Sequence, residues 1–125
     1  MKRNLMVMTL LLGLAGCTIF GPAGDAPDVF EGLPAEYEGV VSFGFEVSLF
    51  QPCGIDEGWW VRRDESGRLQ AGYAERAEKP YDRIYARVVG IPGPRGRYGH
   101  TGAYEREFDV IEVLEMRKEV PPSCQ

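Results

Sequence analysis

The chain has 125 residues, with 19 acidic against 14 basic side chains and a formal charge of −5 when its single histidine is neutral. That length suits one domain around one core and not two. The acidic balance argues against nucleic acid, which is bound through neutralised phosphates, and against polybasic docking on anionic lipid.

Lys2 and Arg3 form a basic n-region, Leu5 to Leu14 an apolar h-region, and the small residues Ala15 and Gly16 precede Cys17. This is the anatomy of a secretory signal peptide. The run is shorter than the about 20 residues a spanning helix needs. Leu14-Ala15-Gly16-Cys17 also resembles a bacterial lipobox. The expectation is a signal peptide over residues 1–16, cut ahead of Cys17, whose sulfur then carries diacylglycerol. Two or more acyl chains hold a protein stably on a membrane, so the membrane is the first expected partner. In the sorting rule that such lipoproteins resemble, Asp after the cysteine retains the protein in the inner membrane. Thr18 at that place implies the outer membrane, with the domain facing the periplasm.

Residues 17–36 hold Pro22, Gly24, Asp25, Pro27, Asp28, Gly32 and Pro34 without hydrophobic periodicity. They are expected to form the lipidated end and a flexible tether, with a folded domain over residues 37–125. Val41, Phe43, Phe45, Val47 and Leu49 alternate with Ser42, Gly44, Glu46 and Ser48, the period of a strand with one buried face. Gly44 inside it suggests a bend or bulge, and Gln51-Pro52-Cys53-Gly54 ends it. Gly58 to Arg63 reads as a second strand, stopped by the turn Asp64-Glu65-Ser66-Gly67. Gly67 to Lys79 suits a short helix or an extended arm, with Leu69 and Tyr73 four apart. Ile84, Ala86 and Val88 alternate with Tyr85, Arg87 and Val89 in a third strand. Ile91 to Gly102, rich in Pro and Gly, reads as a long mobile loop.

Phe108 to Met116 is the last strand. Strict alternation puts Phe108, Val110, Leu114 and Met116 on one face and Ile111 and Val113 on the other. A central position or a register shift explains apolar residues on both. Pro121 and Pro122 end it. With Cys17 taken by the anchor, Cys53 and Cys124 are an even pair in an oxidising compartment and are expected to form a disulfide. In the chain-entropy model a loop of about 70 residues is stabilised by roughly 4 kcal/mol. Short strands, frequent Gly and at most one short helix define an all-β, mostly antiparallel small barrel. Pattern alone leaves OB-type, SH3-like and lipocalin-like forms open.

An aromatic-rich first strand ends in Phe50-Gln51-Pro52-Cys53-Gly54. An arm with Leu69 and Tyr73 follows, then Ile84-Tyr85-Ala86-Arg87-Val88-Val89-Gly90, and a cysteine lies near the C-terminus. This order resembles the C-terminal OB-fold domain of NlpE-type outer-membrane lipoproteins over roughly residues 37–125. The resemblance implies an OB-like barrel and a disulfide at the places of Cys53 and Cys124. The N-terminal Cys-X-X-Cys domain of that family, linked to copper, has no counterpart here. Beyond the leader the chain has one His, His100, and one Met, Met116. No soft-ligand copper site is visible, no cofactor is expected, and copper resistance and stress signalling do not carry over.

The remaining candidates are weighed by chemistry. His100 lacks the clustered partners of a zinc site, which needs three or four ligands. Pairing it with Ser42, Ser48 or Ser66 gives no nucleophile-elbow pattern, so no catalytic residue is assigned. Glu105, Glu107 and Asp109 share a strand face and read as solvated rather than as a cation site, and no metal is expected. Trp59 and Trp60 point to opposite faces, so one enters the core. Trp60, with Tyr85, His100 and Tyr104, is the expected binding surface, because OB barrels often bind oligomers on an aromatic face. The cations Arg95 and Arg97 read as part of a soluble connector. The expected function is a non-enzymatic, lipid-anchored binding module for another envelope protein or a glycan. The alternatives are a redox or stress sensor with a labile Cys53–Cys124 bridge, and a small metal-binding or hydrolytic protein centred on His100.

Overall fold

The computed structural model describes Gly16 and residues 28–125. The expected lipidation site Cys17 lies outside the described residues. Five strands and one helix follow in order: β1 (Ala35–Gly44), β2 (Val47–Pro52), β3 (Trp59–Asp64), α1 (Arg68–Arg76), β4 (Ile84–Pro92) and β5 (Arg106–Arg117), with a 3-10 turn at Pro122–Cys124. The strands close into a barrel in the order β1-β2-β3-β5-β4, with β4 returning to β1. All pairs are antiparallel except β3 with β5. This is a small OB-like all-β barrel carrying a single short helix, as the strand pattern implies.

Its interior is aromatic. Tyr37, Phe50, Trp59 and Phe108 are buried together, with Tyr37–Trp59 and Trp59–Phe108 centroids each 5.2 Å apart and Phe50–Phe108 at 4.7 Å. Glycines on the strands make room for them. A Cβ at Gly39 would lie 2.5 Å from the Phe50 ring, and one at Gly90 2.4 Å from Phe108. Small barrels coil tightly at such strand glycines, and a ring covers the bare backbone. A second, smaller core lies outside the barrel wall. Val40 and Tyr85 are covered there by Cys124, Cys53 and Val120, and a disulfide joins Cys53 to Cys124.

Three local expectations change. The long alternating segment is two strands, joined by a two-residue hairpin turn at Phe45-Glu46. Gly44 ends β1 instead of bulging it, and the Tyr81 ring fills the space a Cβ would take. Phe45, expected inside, is 80 % exposed at the turn. Behind the turn the phase inverts, so Phe50 becomes the core residue of β2. In β5 the register slips twice against β4, leaving Ile111 and Leu114 as extra residues. Phe108, Val110, Val113 and Met116 therefore meet the core, and Leu114 is 36 % exposed. Of the two readings of that strand, the register shift holds.

Asp64 and Ser66 start the helix. The Asp64 carboxylate accepts from the Leu69 and Gln70 amides at 3.0 and 3.2 Å, and the Ser66 hydroxyl accepts from Arg68 N–H at 3.0 Å, so free donors of the first turn are satisfied. Leu69 and Tyr73, one turn apart, are its buried residues. The Tyr73 hydroxyl donates to the Asp82 carbonyl at 2.8 Å, fixing the link into β4. At the other end of the barrel the strap ahead of β1 is packed rather than free. Gly32 N–H donates to Pro92 at 2.9 Å, Phe30 N–H to the Tyr37 hydroxyl at 3.0 Å, and Val29 meets the core. The fold thus takes in residues that the sequence assigns to the tether, and β1 begins at Ala35, ahead of the expected start at Tyr37.

Candidate binding face

Trp59 and Trp60 divide as adjacent strand residues do. Trp59 is fully buried, and its indole N–H donates to Glu57 at 3.0 Å. Trp60 faces outward from β3 beside Leu49 of β2. Its ring meets Tyr104 edge to face, with centroids 5.0 Å apart, a favourable arrangement for two quadrupoles.

Tyr104 belongs to the β4–β5 connection, most of which lies in the segment Ile91 to Gly102 expected to be a mobile loop. The connection is instead a hydrogen-bonded hairpin. Gly96 N–H donates to Glu105 at 2.9 Å, and Tyr98 and Tyr104 exchange both backbone bonds. The hairpin lies across the outer face of β3, with Gly99 flush against the aromatic pair. A Cβ there would come within 2.5 Å of Tyr104 and 2.9 Å of Trp60, and φ is +75°. Both constraints require glycine. The exposed His100 lies 3.5 Å from Glu46 of the β1–β2 turn.

Tyr85 does not join this surface. It is 2 % exposed, on the part of the wall under the C-terminal tail. Its hydroxyl donates to Glu38 at 2.6 Å, and the Arg117 guanidinium sits 4.7 Å over its ring. Burial, then the hydrogen bond and charge of Glu38, push its pKa up to about 12. Outward residues of β4 look solvent-facing in a strand pattern, and only the tertiary position of the tail reveals the cover.

Glu105, Glu107 and Asp109 do share an outer face, but they are engaged. Glu105 accepts from Gly58 N–H at 2.8 Å. Arg62 donates through Nε to Asp109 at 2.9 Å and through Nη1 to Glu107 at 3.2 Å, with a further Nη2 bond to Asp109. The Asp109 hydrogen bond and charge hold the guanidinium more firmly protonated than usual. Ser48 donates to Val61 O at 2.9 Å and Ser66 to Asp64 at 2.6 Å, while Ser42 is buried. None of these hydroxyls has His100 as a hydrogen-bond partner. Among the described residues no group of three His, Cys, Asp or Glu is placed to hold a metal ion.

Sequence reasoning missed two features. One is Arg62, which crosses from β3 to β5 and bears no motif. The other is a buried ionic cluster under the hairpin root. Arg106 is 5 % exposed. Its Nη1 donates to Glu31 at 2.6 Å and to Gly93 O at 2.8 Å. Its Nε lies 3.7 Å from Glu57 without a hydrogen-bond partner. Glu57 also accepts from Arg95. Burial pushes the Glu57 carboxyl up, but Trp59, Arg95 and Arg106 together outweigh it and hold the group below the usual carboxylate range. The only signal was Arg106 between acidic neighbours at a position of inward phase.

A closed OB-like barrel with an aromatic pair under a long hairpin is the class of protein that fold and face define. Compared with protein-family models, curated proteins and solved structures, the chain finds no significant match, and nothing there identifies an NlpE-type lipoprotein.

Proposed function

We propose that this chain is a lipid-anchored protein of the bacterial envelope, of NlpE-like domain type, held at the outer membrane through Cys17. In this reading its barrel is a non-enzymatic binding module for another envelope component. The supporting observation is the Trp60–Tyr104 pair, 5.0 Å between centroids on the outer face of β3. Aromatic pairs left partly open on a sheet face are the material of binding surfaces. The strands 2–3 face and the adjoining loops are also where OB barrels take oligomeric ligands. The acidic composition keeps nucleic acid outside the reading.

Two measurements test it. Metabolic labelling with a palmitate analogue should mark the wild type and not Cys17→Ser. Photo-crosslinkers placed at Phe45 and Tyr104 in cells should give one dominant adduct on an envelope protein or glycan. Crosslinkers at Glu112 and Lys118 serve as controls. Equal scatter from all four positions sinks the module reading, and unlabelled wild type sinks the anchor.

A second reading, an envelope redox or stress sensor, draws on the bridge that holds the tail over Val40 and Tyr85. Reduction would free an apolar patch. A midpoint potential below roughly −300 mV, the structural range, rules it out.

A further inference from the structure

Beside the aromatic pair the hairpin leaves a cleft of about 190 Å³ against the outer wall of β3 and β5. Arg62, Glu107 and Asp109 form its polar side, and Pro94 and Tyr98 form its apolar side. The two sides differ in chemistry. Arg62 is forked onto Asp109 and tied to Glu107, so donors and acceptors are fixed before any ligand arrives. Tyr98 is fixed as well: its backbone pairs with Tyr104 and its hydroxyl donates to Pro94 O at 3.1 Å. We propose that this cleft binds one pyranose ring of a neutral glycan, stacked on Tyr98 and hydrogen-bonded to the Arg62–Asp109–Glu107 wall. The proposal rests on the binding-module reading and names the ligand class for that surface.

Charge selects the ligand. Two carboxylates against the one guanidinium of Arg62 leave the wall net acidic, which disfavours phosphate and polyanions. A cation must compete with a guanidinium already held by three hydrogen bonds. A neutral polyol does neither. Carboxylate oxygens have about four acceptor sites between them, so hydroxyl groups add to the wall without breaking it. A sugar ring also has the required asymmetry, with an apolar C–H face for Tyr98 and Pro94 and hydroxyls at its edge. Size agrees. The cleft is below the about 300 Å³ of drug-sized pockets, so it takes a single ring while the rest of the chain runs past Trp60 and Tyr104.

The test uses the mature chain in detergent micelles, titrated with chitotetraose and followed by amide chemical shifts. Saturable shifts at residues 62, 98, 107 and 109 are expected. Tyr98→Ala and Arg62→Ala should each weaken binding about tenfold, as loss of a stacking wall or a charged hydrogen bond does. Glu112→Gln, outside the cleft, should not weaken it. Sedimentation with purified sacculi, against extracted surface polysaccharide, separates a cell-wall glycan from a surface one; binding to either supports the proposal. No saturation by roughly 10 mM, a Kd weaker than millimolar, overturns it. So does tighter binding of an oligolysine than of the sugar. If Tyr104 crosslinks to a protein while chitotetraose fails, the glycan assignment falls and the binding module stands.

Discussion

Arg106 is a charge that the barrel can bury only because its partners come from three other segments. Glu31 arrives from the strap, Gly93 from the root of the hairpin and Glu57 from the turn before β3. Removing one member of a buried pair costs about 3–5 kcal/mol, since the other is left uncompensated. Arg106→Ala is expected to lose that much in urea unfolding, and Arg106→Met with Glu57→Gln to recover a large part of it. The acid limb carries the same signature. The folded pKa of Glu57 is depressed, so its stabilisation is complete above the ordinary carboxylate range and disappears as pH falls through the folded value. Stability of wild type and Glu57→Gln should therefore converge on acidification. Tyr85 works at the opposite limb. Its pKa is raised to about 12, so the neutral hydroxyl stabilises the fold fully below the unfolded value near 10 and is lost as pH rises through 12. One tyrosinate absorbance step should titrate late in wild type and vanish in Tyr85→Phe.

Among the elements, β5 shows how much a strand pattern can and cannot say. Its β-branched run identifies the strand, and apolar residues on both sides signal an irregularity. The two slips that resolve it depend on the pairing with β4, which local sequence does not encode. The consequence is measurable. Val113→Ala should destabilise by about 1–3 kcal/mol, whereas Leu114→Ala at the bulge should stay within about 0.5 kcal/mol. Strict alternation predicts the reverse order. The β1–β2 turn escaped for a related reason. Phe45 continues the period-two pattern through the turn, and Phe45-Glu46 lacks the Asn-Gly chemistry that usually marks a two-residue hairpin. Glu46 nevertheless adopts φ 57°. On the candidate face, Trp60 and Tyr104 were legible as aromatics beside turn residues. Arg62 was not, because the three-way pairing with Glu107 and Asp109 exists only across a parallel strand pair.

At the level of the whole molecule, a short chain builds its stability from one barrel core and one external staple. The disulfide spans 71 positions and clamps the tail on Val40 and Tyr85. Cys53→Ser with Cys124→Ser should cost about 2–4 kcal/mol. The loss should appear first as faster amide exchange at residues 122–124 and in the middle of β1, with the aromatic interior still protected.

The strap also decides how the domain carries load. A pull on the chain ahead of residue 28 reaches the barrel at Glu31–Arg106 and Gly32–Pro92. It then passes along the axis of β1, which is laddered to β2 on one side and β4 on the other. Antiparallel hydrogen bonds lie perpendicular to their strands. An axial pull therefore shears both ladders at once, where a sideways pull would peel them one bond at a time. Pulled along β1 from its N-terminal side, the barrel would resist through both ladders together.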